Sequence, residues 1–296
     1  MTEGTISFGD YETWYRVTGD LTSPMTPLVV VHGGPGFSHD YLLSLATIAE
    51  SGRPVVHYDQ LGGGRSTHLP DRGADFWTVA LFLAELDNLL ENLEIAGRYH
   101  LFGQSWGGML GAEHAIGQPP GLRGLILSDS PASMGLWLSE AKRLRSLMPV
   151  ELAAVLDLHE AEGTTNDPDY LAATRAYYDE HVCRTVPYPP EVLRTNEIQS
   201  LDPTVYLTMY GPNEFYCIGT LRNWSVVERV KDILVPTLLL SGRYDEATPA
   251  TVQPFFDNIP DVRWEIFETS SHMPFVEEPE RYRETVEAFL DDNDAN

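Results

Sequence analysis

The chain of 296 residues predicts an α/β fold: a mostly parallel sheet flanked by helices, with a helical cap inserted after the sixth strand. Three observations predict it. Short β-branched runs alternate with helical segments over residues 1–130, the pattern of parallel strands joined by helical crossovers. Residues 131–228 then carry helical segments and no clear strand. From residue 229 the strand–helix alternation returns. Residues 1–130 and 229–296 therefore read as one core domain and residues 131–228 as a cap.

Each element has its own signal. TISFG and YETWYRVTG form an opening hairpin. PLVVVHG is a short apolar run ending in glycines, hence a buried strand. RPVVHYDQ, RYHLFGQ and RGLILSDS are the next three strands. Helices are expected over 41–50, 76–93 and 106–117; in the second, Val79, Leu83, Leu86, Leu90 and Leu93 share one face. In the cap, LWLSEAKRLRSLM, ELAAVLDLHEAEG and DYLAATRAYYDEHV are helical. Half of the 14 tyrosines fall between Tyr170 and Tyr216, which makes this layer aromatic. VPTLLLSGRYD and VRWEIFETSSH restore the strands, and EPERYRETVEAFLDD closes the chain as an amphipathic helix.

Composition narrows the function. A hydrophobic content of 43% supports a sizeable core. A formal charge of -25, from 44 acids against 19 bases, argues against nucleic acid and against anionic membrane surfaces. No apolar run reaches the ~18 residues a membrane span needs. The start, MTEGTISFG, has no basic segment followed by an apolar stretch, so a cytoplasmic protein is expected. Cys183 and Cys217 are too few for a disulfide framework. Neither H-x-x-x-H nor C-x-x-C occurs, and LGGGRS lacks the register of a nucleotide loop. No metal or cofactor is expected.

FGQSWGG fits G-x-S-x-G, with the serine at Ser105. The bare pattern arises by chance in roughly one in ten chains of this length. Here it also follows a strand and opens a helix. Such a serine sits on a tight, strained turn that presents its hydroxyl above the sheet. VVVHGGPG ends another strand; it is either a plain tight turn or an oxyanion loop in which the amide of Gly34 joins that of Trp106. His32, just before the glycines, reads as an orienting residue.

A serine nucleophile needs a base. Strand–turn–helix hydrolases order the triad as serine, acid, histidine. His272 is the sole histidine after Trp224 and lies beyond the last strand, in ETSSHMPFVEEP. Asp245 ends the preceding strand, where the acid that orients the imidazole belongs. Glu246, its neighbour, is an alternative for that role.

HGGPG followed by HDY, YDQLGGGRS, GQSWGG, GPNEF, SGRYDEATP and SSHMPFVEEP together resemble the proline iminopeptidase (prolyl aminopeptidase) family of α/β-hydrolases, over almost the whole chain. GGGRS departs from many relatives by one glycine. The resemblance implies an α/β-hydrolase fold, a triad of Ser105, Asp245 and His272, and oxyanion donors on Gly34 and Trp106. It also implies that Glu214, in GPNEF, and Glu246 bind the free amine of the substrate. Physical chemistry points the same way: a carboxylate between aromatic neighbours such as Phe215 and Tyr216 is costly to bury without a partner, and a substrate ammonium is one. Trp137, Tyr206, Tyr210 and Phe215 are candidates for the wall of a substrate pocket. The expected activity is that of a serine aminopeptidase releasing an N-terminal residue, proline foremost, through an acyl-enzyme. An amidase acting on amino-acid amides is the alternative, and a carboxylesterase the more distant one. The expected partner is a small peptide or amino-acid amide with a free amine.

Overall fold

Hydrophobic strands order the sheet. The computed structural model describes residues 1–294. The strands are β1 (Thr2–Phe8), β2 (Tyr11–Thr18), β3 (Leu28–Val31), β4 (Val55–Asp59), β5 (Tyr99–Gln104), β6 (Leu122–Ser128), β7 (Thr237–Gly242) and β8 (Val262–Phe267). They form one sheet in the order β1-β2-β4-β3-β5-β6-β7-β8. The opening hairpin pairs antiparallel with itself and with β4, and all other pairs are parallel. Every residue of β3, β4, β5 and β7 is buried, as a sheet covered on both faces requires. The carboxyl ends of the parallel strands share one edge, and loops there are where such sheets bind ligands.

The segment expected as a helix over 41–50 is a 3-10 helix, His39–Ser51. Its buried Leu42, Leu45 and Ile48 recur every third residue, which suits three residues per turn. Next come α1 (Val79–Asn92) and α2 (Trp106–Ile116). Thr78 caps α1 by accepting from the Leu81 amide. The buried face of α1 is Phe82, Glu85, Leu86, Leu89 and Leu90, rotated from the expected stripe, so Val79, Leu83 and Leu93 are only half-buried. The cause is Glu85, whose carboxylate accepts from the Thr13 hydroxyl at 2.5 Å and from the Leu61 amide at 2.9 Å. Periodicity counts apolar residues and cannot register a buried acid with two donors.

Between β6 and β7 lie α3 (Met134–Arg145), α4 (Val150–Glu162), α5 (Pro168–His181), α6 (Pro190–Leu201) and α7 (Thr204–Met209). Two backbone hydrogen bonds stitch the ends of this segment together, from Met134 N to Trp224 O at 3.0 Å and from Val226 N to Ala132 O at 3.0 Å. The segment has its own apolar cluster, built from Ala141, Leu144, Leu156, Tyr170, Tyr177 and Phe215. The chain closes with α8 (Pro249–Asn258), α9 (Pro274–Glu277) and α10 (Pro279–Asp292). The last buries Tyr282, Val286, Phe289 and Leu290 on one face.

Candidate active site

β5 runs straight into Ser105, whose backbone sits at φ 55, ψ -119. A non-glycine residue pays for that conformation in strain, and glycines allow it. A Cβ on Gly103 would lie 2.1 Å from Gly107 O, and one on Gly107 would lie 2.1 Å from Val31 O. Only bare backbone fits where α2 crosses β3 and β5. Ser130 Oγ donates to Ser105 O at 2.8 Å and fixes the turn from below.

His272 lies in the loop after β8 and is buried. Its Nδ1 is 2.7 Å from Asp245 Oδ1, and that same oxygen accepts from the Ala247 amide at 2.7 Å. Burial alone would lower the pKa of His272; the Asp245 carboxylate beside it, with help from Glu214 and Glu277, outweighs burial and raises it. The loop is seated against the serine turn by Gln104, whose Nε2 donates to His272 O at 3.2 Å. No hydrogen bond joins Ser105 Oγ to the ring among the described residues. Catalytic contacts of this kind commonly tighten only around substrate.

Trp106 follows Ser105 directly, and Gly33, next to Gly34, packs against Gln104. Gly34 has φ 111 and Trp106 opens α2. Among the described residues neither the Gly34 nor the Trp106 amide donates to a backbone acceptor.

Glu246 follows Asp245 but has different surroundings. It is 1% exposed, and neither carboxylate oxygen has a hydrogen-bond partner among the described residues. Burial first, then the nearby carboxylates of Glu214 and Asp245, push its pKa well above the usual carboxylate range. Glu214 accepts from Tyr206 OH at 2.7 Å and is also raised, chiefly by burial. Among the described residues Glu246 has no Lys or Arg partner, and Glu214 has only the nearby His272 as a cationic neighbour. A carboxylate so placed is costly unless a proton or a bound cation joins it.

The chain is similar to known proteins over its whole length. The profile of the alpha/beta hydrolase fold matches residues 26–279. The proline iminopeptidase of Lactobacillus delbrueckii subsp. lactis is 39% identical over 293 residues, 98% of both chains. The chain belongs to the proline iminopeptidase family of α/β-hydrolases. The crystal structure of a proline iminopeptidase from Mycobacterium smegmatis is 50% identical, with a TM-score of 0.93 and 99% of each chain covered. That of VinJ is 58% identical, with a TM-score of 0.97 and the same coverage.

In this proline iminopeptidase relative the aromatic candidates do more than line space. Trp137 Nε1 and Tyr210 OH both donate to Glu214 O, at 2.7 and 2.8 Å. The Trp137 ring stands edge-on to His272, with centroids 6.0 Å apart. Tyr206 stacks on Tyr210 and on Phe37, with centroids 5.5 Å apart in both pairs. Phe215 turns into the apolar cluster of the segment between β6 and β7, 4.7 Å from the Tyr177 ring.

Several residues around the site support it through hydrogen bonds. Tyr41 OH accepts from the Gly33 amide at 2.7 Å and donates to Gln104 Oε1 at 2.6 Å, which ties the glycine loop to the serine turn. Gln60 receives Trp106 Nε1 at 2.8 Å and donates to His32 O at 2.9 Å. His32 Nε2 accepts from the Gln60 amide, so its Nδ1 donates to Gly33 O. Burial lowers the pKa of His32 to about 4, and the ring stays neutral. Glu277 holds the loop before His272 by accepting from the amide and hydroxyl of Ser271 at 2.5 and 2.8 Å. Glu277 stands within the SSHMPFVEEP segment and Phe37 directly follows HGGPG, which is the signal that could have found them.

No helix among the described residues is long and apolar enough to cross a membrane.

Proposed function

We propose that this protein is a serine aminopeptidase that releases an N-terminal residue, proline foremost, from small peptides by way of an acyl-enzyme. The observation that carries this reading is Glu246, a buried carboxylate with no protein partner, facing Glu214. A substrate ammonium supplies the missing charge. An N-terminal proline presents two N–H donors, which matches two carboxylates, and the stacked rings of Phe37, Tyr206 and Tyr210 offer its ring an apolar wall. The full-length likeness to proline iminopeptidases supports the same choice.

In the mechanism, residues 131–228 act as a cap that closes the amine site over the core. With the amine held, the scissile carbonyl lies over Ser105. Ser105 Oγ attacks the carbonyl carbon while His272 Nε2 takes the hydroxyl proton, and Asp245 stabilises the resulting imidazolium through Nδ1. The amides of Gly34 and Trp106 hold the oxyanion. His272 then protonates the leaving amine, the acyl-enzyme forms, and water activated by the same histidine releases the free residue. Only a chain end carries a charged amine at the required distance from Ser105, so the paired acids exclude internal peptide bonds. Two unpaired cysteines, Cys183 and Cys217, suit a reducing compartment, and we assign the protein to the cytoplasm.

The test is a panel of prolyl and other aminoacyl anilides, amino-acid amides and acyl esters, each with a free and a blocked amine. Hydrolysis should require the free amine and extend to peptides longer than two residues. Equal rates on blocked substrates would favour an esterase, and activity confined to amides would favour an amidase.

A further inference from the structure

An aspartate follows each of the neighbouring strands β6 and β7, Asp129 directly after β6 and Asp245 three residues after β7. Asp129 follows β6 directly, is fully buried, and takes a left-handed backbone at φ 51. Its Oδ1 accepts from the Gly242 amide at 3.2 Å and its Oδ2 from Ser128 Oγ at 2.5 Å. Ser128 Oγ in turn lies 2.8 Å from Tyr282 OH. Gly242 joins the two aspartates, since its amide donates to Asp129 Oδ1 and its carbonyl accepts from the Asp245 amide at 3.4 Å, so both acids stand against the same residue. Asp245 Oδ1 is already committed to His272 and Ala247. Asp245 Oδ2 is buried and receives no N–H or hydroxyl donor among the described residues.

We propose that Asp129 is a positioning residue for the catalytic site, a carboxyl group that donates its proton in a hydrogen bond to Oδ2 of Asp245. This rests on reading Asp245 as the acid that orients His272. Two ionised carboxylates in contact away from water repel strongly, and a single proton between them turns the repulsion into a bond. Asp245 faces the imidazole, so the negative charge belongs there and the proton with Asp129. Burial, followed by the adjoining Asp245, drives the pKa of Asp129 upward, in agreement with that division. Tyr282 and Tyr41 also face Asp129, while Glu246, Glu277, Glu214, His181 and Tyr177 face Asp245 or His272. The bond to Asp129 pins the plane of the Asp245 carboxylate. It also draws charge away from that carboxylate, so the resting imidazole is held less firmly in its protonated form.

The experiment measures the rate at which a neutral fluorophosphonate labels Ser105, as a function of pH. This readout needs the nucleophile and its base but not the amine-binding acids. Asp129→Gly removes the carboxyl and tolerates φ 51 without strain. It should move the acid limb of the profile up by about one pH unit, a tenfold change in the proton affinity of His272. Asp129→Asn keeps a donor and should return the limb to its wild-type position. A role confined to folding would lower rates or melting temperature and leave the limb where it was, which overturns the proposal. So does an Asp129→Asn limb displaced as far as that of Asp129→Gly. Should Asp129→Gly fail to fold, infrared difference spectra of wild type minus Asp129→Asn decide: a protonated-carboxyl stretch at neutral pH supports the proposal, and its absence overturns it. Asp245→Asn is the control for the underlying reading. Wild-type labelling in that variant removes Asp245 from the triad whatever Asp129 does.

Discussion

Asp245 and Glu246 are neighbours in the chain with separate surroundings: Asp245 Oδ1 lies 2.7 Å from His272 Nδ1, whereas both carboxylate oxygens of Glu246 are buried without a partner. In the proposed mechanism these adjacent acids, in the loop after β7, serve different groups. Asp245→Asn should lower kcat on every substrate by about 10⁴-fold, since the imidazole loses its orienting charge. Glu246→Gln should lower kcat/KM for free-amine substrates by about 2–5 kcal/mol, the usual cost of truncating one partner of a buried charge pair. It should spare the phosphonylation of Ser105. Equal damage to both readouts would show that Glu246 serves the triad or the fold instead.

Proton release on binding follows from the same pair of acids. Glu246 and Glu214 both have raised pKa values, in each case chiefly through loss of contact with water, and Glu214 raises that of Glu246 further. An empty site therefore keeps a carboxyl proton to higher pH than an ordinary carboxylate would, and an ammonium ligand must displace it. Calorimetry of an amino-acid amide binding to the Ser105→Ala variant, in buffers of different ionisation enthalpy, should show proton release. Affinity should rise with pH through the carboxyl range and fall once the ligand amine itself loses its proton near ~8. A binding heat independent of the buffer would contradict this arrangement.

Tyr41 gives a test of the oxyanion loop that leaves the triad untouched. Its hydroxyl bridges the Gly33 amide and Gln104 Oε1. Tyr41→Phe strands one buried donor and one buried acceptor, which typically costs about 1–3 kcal/mol. Part of that cost should appear in kcat for amine-containing and simple acyl substrates alike, because Gly34 follows Gly33 in the same loop. KM for the free amine should change little. A selective loss on aminoacyl substrates would show that Tyr41 acts through the amine site.

The α/β fold and the serine turn were legible because both are written in local patterns. Short apolar runs name buried strands, and G-x-S-x-G names a strand–turn–helix with room for close backbone contact. Residues whose partners lie far along the chain left no such trace. Gln104 meets Tyr41 across 63 positions and His272 across 168, and neither contact has a periodicity to detect. Asp129 looks like an ordinary turn residue after a strand until β7 is placed beside β6. Helix α1 was legible as a helix but not in its orientation, because Glu85 occupies the buried face as an acid.

That buried acid makes stability depend on pH in a direction opposite to a salt-bridged carboxylate. Burial raises the pKa of Glu85 from 4.5 to about 7, against the lowering effect of the Thr13 hydroxyl and the Leu61 amide. Between those two values the folded protein holds a proton that the unfolded chain has released. The stabilisation is complete below about pH 4.5 and is lost as pH rises through about 7, a swing of about 3 kcal/mol at most. Glu85→Gln cannot titrate but can still accept from Thr13 and Leu61. Urea unfolding of both proteins from pH 5 to 8 should show wild type losing stability relative to Glu85→Gln as pH rises. Parallel curves would mean that the two hydrogen bonds hold Glu85 ionised in spite of its burial.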